Sequence, residues 1–350
     1  MKNKSLFLAL GIILGLIISS CSTTSIYTIN IVEPAPVYFD STYKKVGVID
    51  RSEPEEKNKA IDAIDKVLSA EGKNFDKDAA EIATTSMKDE LLKNRRFNYV
   101  TKIDSTGLKT PGLGIFPSSI PWAKLEEIGN KNDIEVVFVL SFFDTDTKIN
   151  YSTKMRSVAN PLGGSVQIPE HLARVDTRIK TGWRIYDIRT KTIRDEVVLV
   201  EKTSSSGRGI NPLKAVEAIE RRKENVLEIS KILGVDYAQR VLPQQIRVSR
   251  SVYTRGSDNL KAAKRYINAG DWDGAAELWE RDVNHIKSKV AGRATYNLAL
   301  ISEIEGDLEK AIEWANISYL THNNKKALVY VNILKDRLEK QKELEEQMKN

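Results

Sequence analysis

The segment Gly270-Asp271-Trp272-Asp273-Gly274-Ala275 recurs in kind and order 36 residues later as Gly306-Asp307-Leu308-Glu309-Lys310-Ala311. Upstream of each copy, Ala263 corresponds to Ala299. A fixed period of this size marks a supersecondary unit used twice. Gly270 and Gly306 supply the turn between two helices. The small side chains of Ala263, Ala275, Ala299 and Ala311 let those helices approach closely, and Tyr266, Trp272, Trp279 and Tyr296 fill the gaps. Apolar spacing predicts helices over 259–269, 272–288, 293–305 and 308–321, then a fifth from 325 to about 349. The apolar face of the fifth (Leu328, Val331, Leu334, Leu338) fades into Lys, Glu and Gln. Residues 256–350 therefore read as an all-α domain. Two repeats are fewer than a secure solenoid needs, so this region is expected to pack on what precedes it.

Before Thr254 the texture is mixed. Val46–Asp50 is a short β-branched run and predicts a buried strand. Residues 79–92 carry Ala79, Ile82, Ala83, Met87, Leu91 and Leu92 at helical spacing. A strand follows at 97–100, a Gly/Pro-rich loop at 107–119 and a short helix at 122–129. Residues 134–143 are almost wholly apolar, as in a central strand covered on both faces. Few signals mark 152–170, which reads as a mobile loop. Residues 172–188 and 193–201 pair as a hairpin around Arg189-Thr190-Lys191, and 204–211 reads as a loop. Pro212 opens a long helix over about 213–241, Pro243 ends it, and 245–253 is a last strand. Residues 26–39, with Pro34 and Pro36, read as an extended edge segment. The expected fold class is α+β: an α/β sandwich-type domain with a mixed sheet over 41–255, then the helical domain.

The amino terminus predicts the compartment. Lys2 and Lys4 precede an unbroken apolar run from Leu6 to Ile18, which ends in Ser19-Ser20-Cys21. This is the layout of a secretory signal over residues 1–20. The run is shorter than the ~20 residues a helix needs to span hydrocarbon. Cys21 is the only cysteine, so no disulfide within the chain is possible. Residues 21–40 then form a tether and extended segment. The precursor's net charge of +6, less Lys2 and Lys4, leaves a mild +4. Acids and bases are interspersed, and no basic face with stacking aromatics suggests nucleic acid.

Three resemblances add to this reading. The placement of Cys21 resembles the lipobox of bacterial lipoproteins, which implies a diacylglyceryl thioether, signal cleavage and an acylated new amino terminus. The helical pairs resemble the tetratricopeptide repeat, although its period is 34 residues and a proline usually stands near each repeat's end. The segment from Gly182 to Lys191 looks like the R-L-Y-D-x-x-T-G hairpin of CsgG/LpoB-like domains in periplasmic lipoproteins, with Lys191 in place of the glycine. The whole chain is similar to a family of Bacteroidota lipoproteins through V-x-V-x-x-R-S at Val46–Ser52 and L-P-x-x-x-x-V-x-R at Leu242–Arg250. That family implies no activity to carry over.

The chemistry-bearing residues form no recognisable set. His171, His285 and His322 are far apart in sequence, outside metal-ligand spacing. Asp144-Thr145-Asp146 lacks the glycine and glutamate of a calcium loop, and no GxSxG elbow or phosphate loop occurs. Arg51 heads a loop after a strand, where α/β sheets place ligand groups, but pairing of Arg51, Arg247 and Arg250 with nearby carboxylates is the simpler expectation. No catalytic residue, metal or cofactor is predicted. The expected function is a non-enzymatic envelope lipoprotein, held by lipid on Cys21 at the outer membrane and facing the periplasm. Its protein or peptide partner is expected on the helical tail. The rival is an exported hydrolase or glycan-processing enzyme with dispersed carboxylates. A secretion pore would need long amphipathic β-hairpins, and 152–170 reads as too polar and too broken for one.

Overall fold

The computed structural model describes residues 23–52, 75–104, 107–108, 115–159, 163–219 and 221–349. Residues 1–22, with Cys21 and the predicted signal, lie outside them. Contacts divide the described chain into two compact units, residues 35–243 and residues 23–34 with 244–349. The mixed class is as expected, a mixed-sheet part followed by helices.

Residues 35–243 are built on a five-stranded sheet in the order β3-β2-β4-β5-β6. The strands are β2 (Lys45–Asp50), β3 (Tyr99–Ile103), β4 (Val136–Ala159), β5 (Ser165–Asp187) and β6 (Thr192–Gly209). β2 runs parallel to β3 and β4, whereas β4–β5 and β5–β6 are antiparallel. Helix α1 (Phe75–Lys93) connects β2 to β3, and α2 (Trp122–Asn132) connects β3 back across β2 to β4. Crossovers between parallel strands are right-handed as a rule, so two in opposite directions put their helices on opposite faces. Accordingly Ala79, Ala83, Met87 and Leu91 of α1 pack with Val48, Phe138 and Trp183 on one face. Leu125 and Ile128 of α2 pack with Ile49, Val137 and Val139 on the other.

The predicted long helix after Pro212 is two helices, α3 (Pro212–Glu217) and α4 (Arg222–Gln239). Asn211 caps α3 by accepting from the Lys214 N–H at 2.8 Å. The chain breaks before α4 at Arg221, whose φ is 62°. Helix α4 joins α1 over the sheet. A Cβ on Gly234 would lie 2.0 Å from the Ala83 carbonyl oxygen, so only glycine permits this crossing.

The largest departure from expectation is at 152–170. It is not a loop. β4 and β5 pair continuously from Val136↔Asp187 to Ala159↔Ser165. These strands have 24 and 23 residues, about 75–80 Å at 3.3 Å per residue. β2 leaves β4 at Leu140, and β6, which takes in residues 204–209 of the loop predicted over 204–211, leaves β5 at His171. Among the described residues the outermost rows are thus a two-stranded ribbon with no further strand paired on either edge.

The second unit contains β1 (Thr24–Glu33) and β7 (Gln244–Tyr253), paired antiparallel along their full length. Its helices are α5 (Asp258–Asn268), α6 (Trp272–Glu280), α7 (Ser288–Glu305), α8 (Leu308–Leu320) and α9 (Lys325–Lys349). Because β7 takes β1 as its partner, residues 244–253 fall in this unit. Alternate residues Ile29, Ile31 and Val252 give this ribbon an apolar face, buried with Leu260, Ala299 and Leu334.

Candidate interaction surfaces

The alanines that define the repeat lie in the core of the helical unit. Ala263, Ala275, Ala299 and Ala311 are all fully buried. Gly270 and Gly306 have φ of 82° and 87°, the left-handed turn that closes a helix before the next begins. The local bonding also repeats: the Asp271 N–H donates to the Tyr266 carbonyl and the Asp307 N–H to the Ser302 carbonyl, each at 2.9 Å. Asp271 caps α6 by accepting from the Gly274 N–H at 2.8 Å, and Asp307 caps α8 through Lys310 at 2.9 Å. Replacing either aspartate by alanine should cost about 1 kcal/mol of stability, by equal amounts within error, in a denaturant titration. Unequal costs would show that the two turns are not equivalent.

Helices α8 and α9 bury one side and leave apolar side chains on the other. In α8 the buried residues are Leu308, Ala311, Ala315 and Ser318; in α9 they are Ala327, Tyr330, Val331 and Leu334. At about 100° per residue, Ile317 and Leu320 fall on the outward side of α8, and Val329 and Ile333 on that of α9. Leu320 is 75% exposed and Val329 62%.

The sheet's open face beyond α2 is charged. Side chains alternate along a strand, so Asp144, Asp146, Lys148, Lys154 and Arg156 of β4 share one face with Glu170, Arg174, Asp176, Arg178 and Lys180 of β5. Asp144 and Asp146 thus lie within a strand and not at its end, and Asp144 faces Lys180 at 3.9 Å. The other face of the same rows carries Thr145, Thr147, Ile149, Tyr151, Thr153 and Met155, without charge. There Gly207 and Gly209 let α3 lie directly on β6: a Cβ on either would come within 2.4 Å of Ala215 backbone atoms.

Among the described residues Arg51 and Arg250 are each held by a fixed partner, and Arg247 is not. Arg51 Nη1 donates to the Ser118 carbonyl at 2.7 Å, and among the described residues no carboxylate pairs with it. Burial lowers its pKa, and neighbouring Arg184 adds to that effect. Arg184 itself donates to Glu196 at 2.5 Å and to the Pro117 carbonyl at 2.7 Å. In the motif that follows, Tyr186 accepts the Ile120 N–H at 3.2 Å, and buried Asp187 accepts from the Tyr43 hydroxyl at 2.7 Å and the Thr190 N–H at 3.1 Å. Lys191 holds a left-handed φ of 53°. Arg247 is exposed. Arg250 binds buried Glu303 through two nitrogens, at 2.7 and 2.9 Å.

The three histidines stay apart, each with its own local partner: His171 with Thr153 at 3.1 Å, His285 with the Lys287 N–H at 3.0 Å and His322 with Ser288 at 2.9 Å. Among the described residues no His/Cys/Asp/Glu cluster could hold a metal ion. An open cleft beside α2 is lined by Glu126, Gly129, Asn130, Asp133, Ile134 and Ile188. Its two carboxylates are engaged by lysines, Glu126 with Lys191 at 2.6 Å and Asp133 with Lys45. Among the described residues no helix is long and apolar enough to cross a membrane.

No curated protein matches the chain. Among solved structures it is similar to a PelC dodecamer from Paraburkholderia phytofirmans, at 9% identity over 63% of this chain and 100% of that one, with a TM-score of 0.28. It is also similar to a putative neuraminyllactose-binding hemagglutinin homolog from Helicobacter pylori, at 12% identity over 58% of this chain and 96% of that one, with a TM-score of 0.25. Residues 261–336, the helical repeats, match the family described as "Domain of unknown function (DUF6340)". Residues 43–253 match the family described as "Domain of unknown function (DUF8603)", and the chain belongs to that family.

Proposed function

We propose that the chain is a lipid-anchored envelope protein that holds a protein partner on its helical unit and catalyses no reaction itself. The observation that carries this reading is the outward side of α8 and α9, where Ile317, Leu320, Val329 and Ile333 stand in solvent at helical spacing. Apolar side chains repeated on consecutive helices of a repeat unit suit a peptide or partner helix. The anchor is the lipid on Cys21, and the location is the outer membrane, with the folded part in the periplasm. The hydrolase reading needs two free carboxylates converging on a pocket, and in the α2 cleft both are paired with lysine.

Anchoring is tested by metabolic labelling with a fatty-acid probe. The wild type should incorporate label and Cys21→Ser should not. Equal incorporation by the variant would remove the anchor from this account.

The pore alternative changes its footing. The ribbon is long and continuous, so the objection that it is broken does not hold. A membrane-spanning strand still needs an apolar lipid-facing band. One face here carries Lys154, Arg156 and Glu170, and the other Thr153, Ser157, Gln167 and His171.

A further inference from the structure

We propose that the outer end of the β4–β5 ribbon is a lipid-contact element, which sets its tip and charged face on an anionic phospholipid surface. The proposal rests on the envelope-lipoprotein reading for its access to a membrane. The side chains are ordered along the ribbon as such a contact requires. Outermost on the charged face is the cross-strand pair Val158↔Val166, followed by Ile168 opposite Arg156. Met155 and Tyr151 stand on the other face. All five apolar or aromatic side chains are exposed, Met155 at 63% and Val166 at 51%. Behind the tip cations outnumber acids: on the paired rows from Lys148↔Asp176 outward the strands carry Lys148, Lys154, Arg156 and Arg174 against Asp176, which bridges Arg174 at 2.8 Å, and Glu170. Glu170 already lies between Arg156 at 3.2 Å and Arg208 at 3.8 Å. Lys148 and Lys154 have no ion-pair partner among the described residues.

An apolar tip backed by long cationic side chains matches the interface of an anionic bilayer. The tip reaches the acyl boundary, the ammonium and guanidinium groups extend to phosphates, and a tyrosine sits at headgroup level. The open backbone edges limit the depth. Their N–H and C=O groups are costly in hydrocarbon, so the strands stay in the headgroup layer and only tip side chains enter. A soluble polyanion would use the cations but would leave Val158, Val166, Ile168 and Met155 unexplained.

The test uses the full chain reconstituted into vesicles. Ser165→Cys places a single new thiol beside Val166 for an environment-sensitive fluorophore, and the wild type, whose only cysteine is Cys21, measures background labelling. The probe surfaces are vesicles of phosphatidylcholine alone and vesicles containing phosphatidylglycerol. The label should move to an apolar environment on the anionic vesicles and remain aqueous on the neutral ones. Each cation near an anionic surface raises partition about fivefold, so Lys154→Glu with Arg156→Glu should weaken the response on the order of tenfold or more. A label that stays aqueous on anionic vesicles, while the protein floats with them, overturns the proposal. An equal response to soluble polyphosphate overturns it too, by making the ribbon a polyanion site. Failure of the wild type to float with phosphatidylcholine alone counts against the acyl anchor, and the response to phosphatidylglycerol then still decides the ribbon.

Discussion

Replacing Glu303 by alanine is expected to remove about 3–5 kcal/mol from the stability of the helical unit. Its side chain has no solvent exposure and lies between two guanidiniums, Arg250 of β7 at 2.7 Å and Arg337 of α9 at 2.6 Å. The Tyr330 hydroxyl donates to the same carboxylate. One buried acid therefore ties β7, α7 and α9 together. Removing it leaves two cations short of a partner in a largely dry site, and that loss exceeds what the intact cluster contributes over an apolar packing. Glu303→Gln keeps the shape and some hydrogen bonds, so it should cost less. Burial alone would raise the Glu303 pKa, but the hydrogen bonds from Arg250 and Tyr330, with the charge of Arg250 and the bond from Arg337, outweigh it and hold the carboxyl below its ordinary value. A depressed folded-state pKa gives stabilisation that is complete above the unfolded-state value of about 4.3 and is lost as pH falls through the folded-state one. Urea titrations at neutral and acid pH should show this acid-side loss in the wild type and less of it in Glu303→Gln. The same slope in both would place the acid sensitivity elsewhere.

Trp183→Ala should destabilise the α/β unit by a similar amount, about 3–5 kcal/mol. Trp183 is fully buried between the sheet and α4, where its ring stacks on Tyr237 at 4.8 Å between centroids and 17° between planes. Its indole N–H donates to Thr181 at 2.9 Å. Truncation therefore opens a cavity, removes a stacked pair and leaves the Thr181 hydroxyl without that donor. Trp183→Phe fills most of the volume and should recover more than half of the loss. Equilibrium unfolding followed by circular dichroism would measure both. A cost below about 1 kcal/mol for Trp183→Ala would show that the site collapses around the smaller residue.

The parts of this fold that were legible in the sequence are those where burial writes a pattern. Val46–Asp50 and 134–143 are apolar because both sheet faces are covered there. The turn glycines and alanines of the repeat are legible because backbone geometry and close helix packing admit few alternatives. The ribbon at 152–170 was missed because neither face is buried, so no apolar alternation exists. A weaker signal was present: Asp144, Asp146, Lys148, Lys154 and Arg156 stand at even spacings, a period of two written in charge. The pairing of β1 with β7 joins segments some 220 residues apart, and local pattern carries no information about such a partner. The break before α4 was hidden because Arg221, and no glycine, takes the left-handed turn. The Glu303 cluster was equally hidden. Its members are ordinary charged residues spread from 250 to 337, and only the packing of β7, α7 and α9 makes them one site.

The central claim is that the outward side of α8 and α9 holds a protein partner. Its most direct test is photo-crosslinking in cells that make the lipidated chain, with a photoreactive amino acid at Leu320 or at Val329 and a control at exposed Glu309. The account predicts one adduct of defined size from both apolar positions, lost when Ile317→Glu and Ile333→Glu are added, and none from Glu309. No adduct from Leu320 and Val329, or the same adducts from Glu309, would contradict it.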